Sequence, residues 1–194
     1  GGREQPCSYI VGAATDEPFR RRGLMGQLLH RAAVSSELPI TLFPAVRSFY
    51  EAHGYTTTSR LLSFPLRGGK ESHTPLLPVE GEALDRIYRT ANAESGYLVR
   101  DEAAWEFLTG GYETVLVEDA YAFISEGKAT EAFALNTEGA ERLIDALSPM
   151  AVGSLQSSAH SPLSALLGEQ NGVPTPMGMS THPAMAGVYI AEQY

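Results

Sequence analysis

The segment Thr15-Asp16-Glu17-Pro18-Phe19-Arg20-Arg21-Arg22-Gly23-Leu24-Met25-Gly26 gathers three guanidinium groups and two glycines into one short stretch. A short apolar run, Tyr9 to Ala14, precedes it, and an amphipathic run, Leu24 to Ala33, follows. The pattern predicts a strand, a cationic turn and a helix. Such a turn suits a phosphate group. The first N–H groups of a helix have no partner within it, and the helix dipole favours negative charge there. Gly23 lets the backbone approach a ligand closely, and arginine supplies forked donors matched to phosphate oxygens. The plainer alternative is a solvated basic turn.

A second group lies at Phe49-Tyr50-Glu51-Ala52-His53-Gly54-Tyr55. Tyr50 offers a phenol that stays protonated at neutral pH and can donate a proton; it also reads as a core aromatic beside Phe49. Glu51 and His53 read as exposed helix residues. The five histidines show no metal-ligand spacing. Ser157, Ser158, His160 and Ser161 lack the Gly-x-Ser-x-Gly elbow of a hydrolase.

The elements that must position these residues follow from periodicity. Leu24, Leu28, Leu29 and Ala32 mark one face of a helix. Pro39 to Phe43 reads as a buried strand, Ala45 to His53 as a short helix, and Thr56 to Leu66 as a strand. That alternation predicts an α/β layer. Further on, helices are expected around Leu84 to Ala91 and around Trp105 and Leu108. Strands follow at Tyr112 to Val117, Ala120 to Ser125 and Thr130 to Leu135. Thr137 to Leu147 reads as a helix capped by Asn136-Thr137, and Gly153 to Ser158 as low-complexity chain. A last strand is expected at Gly187 to Ala191.

Arg67 to Pro75 is rich in Gly, Ser and Pro, and the charge balance turns there. Residues 1–70 hold nine Lys/Arg against five Asp/Glu, a balance of +4; residues 71–194 hold five against eighteen, −13. Two units are therefore expected, residues 1–68 and 75–194. The net charge of −9 argues against a nucleic-acid partner. An apolar fraction of 43% argues against disorder, and no apolar run nears the ~18 residues of a membrane span. Cys7 stands alone, so no internal disulfide can form. With no signal-peptide pattern at the start, a reducing cytoplasm is the expected compartment.

Tyr9 to Leu29 resembles the acyl-CoA motif of the GNAT N-acetyltransferase superfamily, Arg/Gln-x-x-Gly-x-Gly/Ala between a strand and a helix. Arg20 starts the correspondence, Gly23 takes the first glycine, and Met25 stands at the Gly/Ala position. The Arg-Arg-Arg-Gly run with a bulky residue at 25 is most similar to the enhanced-intracellular-survival type. Phe49 to Tyr55 resembles the second family signature, Phe-Tyr-x-x-x-Gly-Phe/Tyr.

The resemblance implies a mixed α/β sheet and an acyltransferase that uses acetyl-CoA, with no metal. Ala13, Ala14 and Thr15 would offer backbone groups to the pantetheine arm; Arg20, Arg21, Arg22, Gly23, Leu24, Met25 and Gly26 would cradle the pyrophosphate. Tyr50 would be the general acid, protonating the departing thiolate as an amine attacks the thioester directly. The acceptor would be a small-molecule or lysine-type amine. Ala45 stands where many members place Asn or Ser against the cofactor. A full first domain has further strands and helices before the motif, so residues 1–68 are expected to hold its C-terminal half. The exposed sheet edge this leaves favours a homodimer. Residues 75–194 resemble the degenerate second GNAT-like domain of bacterial two-part members and show no second CoA motif. In the enhanced-intracellular-survival type the C-terminal carboxylate serves as base. The matching group would be the terminus of Tyr194, but without a sterol-carrier-like third unit that role is not expected of it. The alternative function is an inactive CoA-binding or protein-interaction module.

Overall fold

The structure is a computed structural model describing residues 4–69 and 71–191. The chain divides into two compact units, residues 1–59 with 176–194, and residues 60–175. This division departs from the expected 1–68 and 75–194. The Gly- and Pro-rich stretch 67–75 runs inside the second unit, and the described residues from Pro176 onward belong to the first.

The first unit is built on a four-stranded mixed sheet in the order β1 (Ser8–Ile10), β2 (Ile40–Leu42), β10 (Met179–Ser180), β3 (Thr56–Thr57). β1 runs parallel to β2, pairing Ser8 with Ile40 and Ile10 with Leu42. β10 is antiparallel to both β2 and β3. All three residues of β2 are buried, as a strand in the middle of a covered sheet requires. Helix α1 (Leu24–Ser35) lays Met25, Leu29 and Ala32 on a core that includes Ile40, Leu42, Tyr55 and Met179. Helix α2 (Arg47–Glu51) adds Phe49 and Tyr50 to the same core.

Two sequence expectations change in this unit. The run Thr56 to Leu66 is two strands, β3 and β4 (Arg60–Pro65), in different sheets. Among the described residues the last strand is Met179–Ser180, and the expected strand at Gly187 to Ala191 is reduced to a single bridge residue, Tyr189. Ser180 is held there by its hydroxyl, which donates to the Ile40 carbonyl at 2.8 Å.

The second unit carries a six-stranded sheet in the order β5-β6-β7-β8-β4-β9. Strands β5 (Glu113–Val117), β6 (Ala120–Ser125) and β7 (Lys128–Ala134) form the expected meander. β8 (Ser154–Ser158) lies parallel to β7 and antiparallel to β4, and β9 spans Val173–Pro176. The low-complexity reading of Gly153 to Ser158 is thus corrected: it contains an inner strand. Leu155 and Ser157 face inward, and Ser157 is accommodated by donating to the Ala132 carbonyl at 3.2 Å. Helix α5 (Thr137–Leu147) is capped by Asn136, which accepts from the Gly139 N–H at 2.7 Å. Helices α3 (Gly81–Ala91), α4 (Glu102–Gly111) and α6 (Pro162–Leu167) complete the unit. A bidentate Arg100–Glu131 pair is buried in it, both contacts at 2.8 Å. Among the described residues no helix is long and apolar enough to cross a membrane.

Candidate functional site

The ladder between β1 and β2 ends at Ile10 and Leu42. Beyond those carboxyl ends, residues 11–14 and 43–45 line a cavity of about 370 Å³ together with Tyr9, Ile10 and Tyr50. The ends of parallel strands are where open α/β sheets present a crevice for ligands. Gly12, Ala13 and Ala14 lie exposed there, outside the paired strand.

The chain then enters the cationic turn. The Asp16 carboxylate accepts from the Glu17 N–H at 2.8 Å, starting a single 3-10 turn, Glu17–Phe19, with Pro18 in it. Arg20 Nε donates to the Thr15 carbonyl at 3.0 Å, closing the loop on itself. Arg22 lies 5.6 Å from the centroid of the Phe19 ring. Gly23, at φ +73°, sets up α1 with no side-chain cap. The first N–H groups of α1 are therefore free of a capping side chain, with three arginines immediately before them.

A second cavity, about 530 Å³, opens over this turn. Ala13, Thr15, Arg20 to Gly26 and Tyr50 all line it; Ala14 lines the first cavity instead. Phe19, Ala45, Val46 and Phe49 complete its wall. Ala13, Ala45 and Tyr50 border both cavities. Tyr50 is 7% exposed and is wedged edge-on between Phe49 and Tyr55, with ring centroids 5.3 and 5.8 Å away.

Neighbouring residues hold α2 against the turn. His53 Nδ1 lies 2.7 Å from the Phe49 carbonyl, so that nitrogen carries the proton. Its imidazole rests on Gly26, where any Cβ would overlap the ring. Arg47 donates to Thr57 Oγ1 at 2.8 Å and to the carbonyls of Pro176 and Met177, tying the start of α2 to the chain end. Tyr55 is buried, and its hydroxyl has no partner among the described residues. Burial first, and then Tyr50, push the Tyr55 phenol above its ordinary value.

Among solved structures, the chain is similar to a GCN5-related N-acetyltransferase from Kribbella flavida. Identity is 24%, covering 93% of this chain and 53% of that one, with a TM-score of 0.61. The fold is that of the GCN5-related N-acetyltransferases. A second such enzyme, from Anabaena variabilis, matches at 17% identity over 84% of this chain and 51% of that one, TM-score 0.53. Eis1 from Mycobacterium abscessus matches at 19% over 83% and 52%, TM-score 0.51. The chain spans about half the length of these structures. No family model and no curated protein matches it.

Within this fold the two GNAT-like motifs meet at one place, since residues of both line the 530 Å³ cavity. Phe19 and Val46 enter its wall without being expected there, and Phe49, the first residue of the second signature, joins them. Phe19 carried a signal, an aromatic in an otherwise charged turn; Val46 carried none. His53 meets Gly26, a contact between motifs that spacing could not disclose. Tyr194 lies outside the described residues.

Proposed function

We propose that the chain is an N-acetyltransferase that moves an acetyl group from acetyl-CoA to an amine at Tyr50. The observation that carries this reading is that two cavities border one buried tyrosine, one of them rimmed by a cationic turn. A donor held at the cationic turn can then lay its arm along residues 13 and 14 and reach Tyr50.

The residues present suit acetyl-CoA as donor substrate. Arg20 to Arg22 and the uncapped start of α1 face the charge of a pyrophosphate. The exposed backbone of Ala13 and Ala14 can pair with the amides of a pantetheine arm as an added strand pairs with a sheet edge. The acetyl end is thereby directed to Tyr50. The amine nitrogen attacks the thioester carbonyl carbon, the carbon–sulfur bond breaks, and the sulfur takes the Tyr50 proton. The amine releases its own proton to solvent, and the Tyr50 phenolate regains a proton from solvent, which restores the acid for the next turnover. Positioning supplies much of the rate. The acidic balance of residues 71–194 favours a cationic acceptor, a small amine or a lysine side chain.

A thiol-release assay over a panel of amines tests this. Tyr50→Phe should lower kcat about 100-fold, within the usual range for a lost general acid, while acetyl-CoA affinity stays within about twofold. Unchanged turnover in Tyr50→Phe removes the acid role. Binding without turnover on any amine favours a CoA-binding module.

A further inference from the structure

Resting on the acetyl-CoA reading, we infer that Phe19 forms a stacking platform for the adenine base of the donor. Phe19 is 48% exposed and is the aromatic residue of a turn rich in charged side chains. It lines the same cavity as the three arginines. The turn holds it in place. Asp16 and Pro18 shape the single 3-10 turn, and the Phe19 N–H donates to the Asp16 carbonyl at 2.9 Å.

Arg22 adds a second flat group, its guanidinium 5.6 Å from the ring centroid. Arginine planes and aromatic rings are the two surfaces on which proteins stack nucleobases, and they do so without reading the base edge. Arg20 is anchored to the Thr15 carbonyl through Nε. Arg21, at φ +61°, has no partner among the described residues and is available to a phosphate beside the base. A half-exposed aromatic next to unshielded cations matches a ligand that joins a π face to phosphates. Phe19 and Tyr50 line the same cavity, so one donor would meet both residues, its adenine at Phe19 and its acetyl group at Tyr50.

The test compares acetyl-CoA with S-acetyl-4′-phosphopantetheine, which keeps the thioester and pantetheine arm but lacks adenosine, by equilibrium binding to wild-type chain, Phe19→Leu and Phe19→Trp. Phe19→Leu should weaken acetyl-CoA about tenfold, in line with the loss of one base–aromatic stack, and leave the short analogue within about twofold. Phe19→Trp should restore acetyl-CoA affinity to wild-type strength or better. Equal affinities for acetyl-CoA in the wild-type chain and Phe19→Leu overturn the platform while leaving the donor reading intact. Equal losses for both ligands also overturn it, because they show a general disturbance of the turn. Failure of the wild-type chain to bind acetyl-CoA at all overturns the donor reading, and the platform with it.

Discussion

Tyr50 and Tyr55 are five residues apart, touch each other, and have opposite prospects. Tyr50 borders two cavities. Tyr55 is closed in the core with a hydroxyl that has no partner among the described residues. A buried hydroxyl without a hydrogen bond carries its desolvation cost uncompensated. Tyr55→Phe should therefore raise stability by about 1 kcal/mol in urea unfolding and leave turnover unchanged. A loss of stability would mean that the hydroxyl is bonded in solution. At this scale the sequence was informative where residue type and spacing together define a chemical task, as in Arg20 to Gly26. It was silent where a residue serves by position, as His53 does on Gly26, because that contact depends on how two helices cross.

Among the elements, legibility followed the strength of the local signal. Helix α5 begins and ends where its cap and apolar spacing place it, Thr137 to Leu147. Strand β8 was hidden because its inward positions include Ser157, whose burial is balanced by a hydrogen bond to another strand rather than by apolar surface. The stretch near 72–74 read as a linker from composition, yet α5 fastens it. Asp145 Oδ2 accepts from Ser72 Oγ at 2.8 Å, from Thr74 Oγ1 at 2.7 Å, and from the N–H groups of His73 and Thr74. The Thr74 and Ser72 hydroxyls, with those N–H groups, hold the Asp145 carboxyl below the usual carboxylate range. A carboxylate whose proton affinity falls on folding stabilises the fold above its unfolded pKa. That contribution is lost as pH falls through its folded one. The Tm difference between the wild-type chain and Asp145→Asn should thus be full near about pH 6 and shrink below about pH 4. A difference constant across that range would contradict the pinning role.

For the whole molecule, the mixed α/β class was legible and the closure of the first sheet was not. Two residues, Met179 and Ser180, fill the gap between β2 and β3. Ser180 pairs with Thr41 although most of the chain lies between them, and no local pattern encodes so distant a pairing. The same closure explains why the compact units departed from the boundary suggested by composition. Charge and glycine content mark where a chain is soluble and pliable, whereas unit membership is decided by which strands share a sheet.

The proposed function stands on the turn from Thr15 to Gly26 as an acyl-CoA cradle. Equilibrium dialysis of labelled acetyl-CoA against the chain, with Arg21→Glu alongside, tests it most directly. Saturable binding of one acetyl-CoA per chain is expected, displaced by free CoA and weakened at least tenfold by the charge reversal. No retention of acetyl-CoA at high micromolar concentration, or equal retention by Arg21→Glu, would contradict it.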